Sequence, residues 1–305
     1  MSSTRLRFPE AALVFVLSLG CKRVPPEPTS SRPVQSPRPA TIRFTVIGDF
    51  GDDTTDEGAV AGLVKGWKPD FVVTTGDNNY PSGEASTIDV NIGKYYSEFI
   101  GNYRGHFGPG SPINRFWPTP GNHDWVSGLG AYIEYFTLPG NERYYDVDLG
   151  LVHLYALDSD PHEPDGVTQD SVQARWLKDR LSSSKSCYDV VYFHHASYSS
   201  ARHGSSQYMR WPFRAWGAEV VLAGHDHTYE RLAVDDIPYF VIGVGGASKY
   251  DFREPPLAET KVRYSEGYGA MLVTATTSAI TYDFFTADGV KRDTLTTDAA
   301  ATCAK

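Results

Sequence analysis

The chain has 305 residues, of which 41% are hydrophobic and 21% charged, with a net charge of −9. That length can bury a core, and the acidic balance argues against a nucleic-acid-binding surface. It does not exclude a phosphate substrate, because bound metal ions would supply positive potential locally.

Arg5 and Arg7 precede an apolar run from Ala11 to Leu19, which is too short to span a bilayer. Residues 1–21 therefore read as a secretory signal peptide. The Gly20-Cys21 junction resembles a bacterial lipobox, with Cys21 as the lipid attachment site. Residues 22–40 carry six prolines (Pro25, Pro26, Pro28, Pro33, Pro37 and Pro39) and read as an extended, solvated tether. Residues 41–305 form the third segment, a single folded domain. The expected location is a lipid-anchored position at the periplasmic or outer surface, with a periplasmic or secreted protein as the alternative. Cys187 and Cys303 then remain, as a disulfide pair in an oxidising compartment or as two buried thiols.

The folded part opens with an alternating strand, residues 41–47, that runs into Gly48-Asp49. Residues 56–65 predict a helix with Asp56 as its cap. Residues 71–75 predict a strand ending at Gly76-Asp77. Helices are expected over 90–100 and 130–136, and a hairpin over 144–157 turning at Gly150. The clearest helix covers 169–181, with Val172, Trp176 and Leu177 on one face. Strands follow at 190–193, 219–223, 239–244, 269–276 and 280–285. Alternating elements early and strands late predict an α/β fold, two packed sheets flanked by helices.

Five short segments stand at strand ends or loop starts. They are Gly48-Asp49, Gly76 to Tyr80, Gly121 to Asp124, Val191 to His194, and Gly224 to His227. Among their side chains are two carboxylates, a phenol, an amide and three imidazoles suited to metal, with one more histidine, His123, left over for proton transfer. Each alone is an ordinary turn or core feature. The ordered set is a ligand complement for two metal ions. Mixed oxygen and imidazole donors suit Fe, Mn or Zn better than Ca or Mg.

This ordered set resembles the purple acid phosphatases, a branch of the calcineurin-like metallophosphoesterases. The resemblance implies a four-layer α/β/β/α metallophosphatase fold. It makes Asp77 a bridge between two metals. Asp49, Tyr80 and His227 complete the first site; Asn122, His194 and His225 complete the second. Calcineurin-like phosphodiesterases usually carry Asp-x-His at the first motif. This chain has Asp49-Phe50-Gly51, and Tyr80 stands where the purple branch places its tyrosinate. The resemblance therefore implies Fe(III) beside a divalent Fe, Zn or Mn. It makes His123 and His203 the catalytic histidines that bind phosphate or protonate the leaving group.

The implied activity is hydrolysis of phosphate monoesters by a metal-bound hydroxide, with a small phosphate ester as substrate. A phosphodiesterase or nucleotide-cleaving enzyme on the same metals is the alternative. A non-catalytic surface lipoprotein is a second. His195, His106, His153 and His162 read as ordinary surface or core histidines. The oligomeric state is not legible.

Overall fold

The structure is a computed structural model; it describes residues 39–299 together with Cys303. The expected signal, Cys21 and the tether up to residue 38 lie outside the described residues. The described residues belong to one unit, Arg38–Lys305.

Two sheets carry the fold. β1 (Thr41–Ile47) and β2 (Phe71–Thr74) are parallel neighbours, with β3 (Phe116–Pro118) beyond β2. β11 (Gly269–Thr276), β12 (Ala279–Thr286) and β13 (Lys291–Asp298) continue on the other side of β1 as an antiparallel run. The second sheet has the order β10-β8-β9-β7-β6-β5-β4. Its parallel centre is β5 (Val152–Ala156), β6 (Tyr188–His195), β7 (Val220–Gly224) and β9 (Ile237–Ile242). β4 (Tyr145–Asp148), β8 (Tyr229–Val234) and β10 (Thr260–Tyr264) are antiparallel additions.

The side-chain period of two decides which layer each residue joins. On β6, Val190 and Tyr192 enter the core between the sheets with Phe44, Val46 and Met271. Val191 and Phe193 point the other way, to a second apolar layer with Leu177, Leu181 and Phe213. That layer is closed by α5 (Val172–Ser183) and α6 (Phe213–Trp216). On the six-stranded side, Val60, Ala61 and Val64 of α1 (Thr55–Gly66) are buried in the first cluster. β6 is buried along its whole length, as expected for a central parallel strand. The expected two-sheet sandwich flanked by helices is the fold observed.

Several local readings shift. The cap of α1 is Thr54, whose hydroxyl accepts the Glu57 N–H at 3.0 Å, so Asp56 sits in the first turn. The helical stretch after residue 88 is mixed, with a π turn at Asp89–Gly93, α2 at Lys94–Tyr96 and a 3₁₀ turn at Ser97–Phe99; α3 (Asn122–Trp125) and α4 (Gly130–Tyr135) follow it. α5 is capped by Ser171 and buries Gln173, Ala174, Leu177 and Leu181, while Val172 is 48% exposed. The inward pull on Gln173 is polar. Its amide bonds both the N–H and the carbonyl of Asp158, at 2.8 and 2.9 Å.

β3, β8, β10 and β13 were not legible as strands. β3 has three residues, β10 is half-exposed and β13 is a polar edge, so none has a clear apolar alternation. Cys187 and Cys303 are joined as a disulfide that links β6 to the end of the chain.

Candidate metal centre

All five motifs converge at the C-terminal ends of the parallel strands. Asp49 follows β1, Asp77 follows β2 and His225 follows β7. All three have left-handed backbones, with φ of 53°, 51° and 71°. Such residues cost of order 1–3 kcal/mol unless their surroundings hold them. The surroundings do. Asp49 N–H donates to the Gly76 carbonyl at 3.0 Å, and the His225 N–H donates to both Asp49 oxygens. Asp77 Oδ1 accepts the His123 N–H at 2.8 Å. Two motif glycines have a steric reason. A Cβ at Gly76 would lie 2.7 Å from the His194 ring, and one at Gly121 would lie 2.2 Å from Asp77 Oδ1.

The side chains form two groups that share one carboxylate. Asp77 Oδ2 is 2.9 Å from the Tyr80 hydroxyl and 3.4 Å from His194 Nε2. Around Tyr80 lie His227 Nε2 at 3.2 Å and Asp49 Oδ1 at 3.5 Å. Around His194 Nε2 lie Asn122 Oδ1 at 3.0 Å and His225 Nδ1 at 3.2 Å. Asp49, Asp77 and His194 bring their donor atoms within 4.8 Å of one another.

The histidine tautomers test whether these groups fit metal ions. His194 Nδ1 faces the Thr75 carbonyl at 2.9 Å, which can only accept, so Nδ1 carries the proton. His227 Nδ1 likewise faces the Ser248 carbonyl. Both Nε2 atoms therefore turn lone pairs toward carboxylate, amide and phenol oxygens. A backbone carbonyl behind a ligating imidazole is the usual means of orienting it. Such a concentration of lone pairs requires a proton or a cation. In the metal-free chain, burial lowers the His194 pKa, but Asp77 and Asp49 outweigh it and push it up to about 10. Burial acts first on Tyr80 too, and with Asp77 and Asp49 it raises the phenol well above its ordinary value. A phenolate there needs a strongly charged cation beside it. The donor set fits two metal ions, with Asp77 lying between the two groups.

The two expected catalytic histidines flank this cluster. His123 Nδ1 donates to the Pro81 carbonyl at 2.6 Å, and its ring lies 4.3 Å from that of Tyr80. The His203 ring lies 4.2 Å from that of His225 and 5.2 Å from that of Tyr250. Burial first, then His227 and Arg202, lower the His203 pKa against the pull of Asp226.

Sequence reasoning missed four contributors. Asp124 Oδ2 accepts the Gly121 N–H and both nitrogens of Asn78, which fixes the turn bearing Asn122 and His123. Asp226 accepts the N–H of His203 at 2.6 Å, the N–H of Gly204 at 3.0 Å and the Ser199 hydroxyl at 2.5 Å. Both aspartates stand inside quoted motifs, which was the available signal. Tyr250 stacks on His227 with ring centres 4.0 Å apart. His195 joins His194 and His225 in a second cluster whose donor atoms lie within 4.8 Å. His195 is a buried histidine, as the core reading expects, and it also borders the candidate donors. By contrast, Phe50 and Tyr198 are packing residues, set against Tyr96 and Tyr239.

The fold and the shared-carboxylate cluster define a metallophosphoesterase, a hydrolase. The chain belongs to the calcineurin-like phosphoesterase family, whose model matches residues 42–229. It is similar to purple acid phosphatase 17 of Arabidopsis thaliana, 25% identical over 240 residues that cover 68% of this chain and 69% of that protein. Among solved structures it resembles GAP50, described as the anchor in the inner membrane complex of Plasmodium. That match has a TM-score of 0.67 and 17% identity, and covers 86% of this chain and 90% of the other. Purple acid phosphatase PPD1 of yellow lupin matches with a TM-score of 0.66 and 16% identity. It covers 84% of this chain and 53% of the lupin protein.

Proposed function

We propose that this chain hydrolyses phosphate monoesters as an acid phosphatase of the purple type. Fe(III) would occupy the Tyr80 position and a divalent Fe, Zn or Mn the other. The observation that carries the reading is Asp77 Oδ2, placed between the Tyr80 hydroxyl and His194 Nε2. Asp49, Asp77, Tyr80 and His227 would hold the first ion; Asp77, Asn122, His194 and His225 would hold the second. Bound metals supply Lewis acidity toward the phosphoryl oxygens and acidify water.

The chain's own groups do the rest. His123 is anchored through Nδ1, so its Nε2 can carry a proton to the leaving oxygen. His203, held through its backbone by Asp226, flanks the second position beside His225. Phosphoryl transfer is mainly positioning and charge neutralisation, and the fixed turns around Asp49, Asp77 and His225 supply the positioning.

Paired assays of a phosphate monoester and a diester on iron-loaded protein test this. Monoester preference with an acid optimum supports it. Diester preference moves the reading to a phosphodiesterase or nucleotide-cleaving enzyme. Full metal loading without hydrolysis of either moves it to a non-catalytic surface protein.

We also infer, from the sequence of residues 1–40, an exported protein anchored through lipid on Cys21. Among the described residues no helix is long and apolar enough to cross a membrane. A mass spectrum of the mature amino terminus is the test: an unmodified residue there, with all protein soluble, rejects the anchor.

A further inference from the structure

Adjacent histidines at the end of β6 hold opposite tautomers. His194 must carry its proton on Nδ1, because Nδ1 faces the Thr75 carbonyl. His195 Nδ1 instead faces the Ser159 hydroxyl at 3.0 Å, and that oxygen already accepts the His195 backbone N–H at 2.8 Å. Ser159 is fully buried. Its hydroxyl proton has one acceptor among the described residues, His195 Nδ1. Were His195 Nδ1 protonated instead, a buried hydroxyl donor would be left unpaired. Ser159 therefore donates, and the His195 proton resides on Nε2.

The support behind Ser159 is rigid. Gln173 of α5 bonds both backbone groups of Asp158, and the Tyr208 hydroxyl donates to the Ser159 carbonyl at 3.1 Å. His195 is largely buried, at 8% exposure. It lies 4.5 Å from the His225 ring and 5.0 Å from the His194 ring, both donors of the second metal position. Nε2 of His195 has no hydrogen-bond partner among the described residues. A nitrogen that carries a proton cannot ligate a metal, yet it can donate to an oxyanion beside one.

We propose that His195 is a third catalytic histidine, donating Nε2–H to a phosphoryl oxygen at the second metal position. It differs from His123, whose Nδ1 is committed to Pro81 and whose Nε2 offers a proton only when the ring is charged. His195 offers its N–H as a neutral ring, set by Ser159. The inference rests on the phosphatase reading of the site.

The first test is independent of turnover. Long-range ¹H–¹⁵N spectra of histidine-labelled, zinc-loaded full-length protein should show His195 protonated on Nε2 and His194 on Nδ1. A proton on Nδ1 of His195 would overturn the proposal. The second test is calorimetric titration with inorganic phosphate. His195→Phe should keep two zinc ions per chain and bind phosphate roughly 10- to 100-fold more weakly. His195→Gln, which restores an N–H donor, should recover most of that affinity. Unchanged affinity in His195→Phe, or loss of one zinc, rejects the role. If His195→Phe does not fold, Ser159→Ala serves. It removes the group that sets the tautomer, so the proton should redistribute toward Nδ1 and phosphate affinity fall several-fold. No change in either overturns the assignment. Should phosphate bind as expected while no ester is hydrolysed, the phosphatase reading fails and the His195 contact stands.

Discussion

Both carboxylate oxygens of Asp49 accept the backbone N–H of His225, at 3.2 and 3.0 Å. This contact ties the end of β1 in one sheet to the end of β7 in the other. The carboxylate thus positions a histidine of the second candidate donor group while facing the first. Asp77 does the reciprocal service, holding the His123 N–H on one oxygen and lying between both groups with the other. The two positions are therefore built as one unit, and changes at either aspartate are expected to affect both.

Asp77→Asn keeps the shape and removes the charge. Metal content should fall from two ions per chain to below one, and hydrolysis should approach the uncatalysed level. Elemental analysis beside a turnover assay measures this. Two ions with near-normal turnover would exclude Asp77 as the bridge.

Tyr80→Phe removes one oxygen from a buried ring. The iron-loaded wild type should absorb in the visible by tyrosinate-to-iron charge transfer, and the variant should be colourless. The fold should survive with a loss of about 1–3 kcal/mol in the metal-free form, from the lost bond to Asp77. Activity with divalent metals should persist in part, because the other donors remain. Colour that survives the substitution removes Tyr80 from the ligand set.

Asp226→Asn weakens the three bonds that hold the His203 turn. An amide can present one oxygen, so at least one donor loses its acceptor, at about 1–3 kcal/mol each. Turnover should fall more than phosphate affinity, and thermal unfolding should occur at lower temperature. Unchanged turnover would mean that His203 does not depend on this turn.

Glu57 gives a pH prediction away from the ligands. Its carboxyl is fully buried, and Oε2 accepts the N–H groups of Asp52 and Asp53 at 3.2 and 2.9 Å. Burial pushes its pKa up to about 9, against the two hydrogen bonds. The folded state therefore binds a proton that the unfolded state releases above about pH 4.5. The stability this contributes is fully present below that pH and declines as pH rises toward 9. One proton accounts for at most about 1.4 kcal/mol per pH unit. Glu57→Gln should flatten the decline in denaturant midpoint between pH 5 and 9. An identical pH profile for the variant would mean that Glu57 is ionised in the folded chain.

The sequence by itself determined the two-sheet class and the candidate donor residues. Strand ends at Asp49, Asp77, His194 and His225 were legible because apolar runs stop there at glycine or histidine, and that pattern is local. The Gly-Asn-His-Asp and Gly-His-Asp-His strings were legible for the same reason. Tertiary structure decided which candidate donors lie together and which way each imidazole turns. His194 and His195 are neighbours with the same side chain, and no local pattern separates them. A carbonyl from Thr75 and a hydroxyl from Ser159, 119 and 36 residues away, fix their opposite tautomers. Hydrogen-bond partners supplied across a fold assign the proton, and those partners exist only once the two sheets have packed.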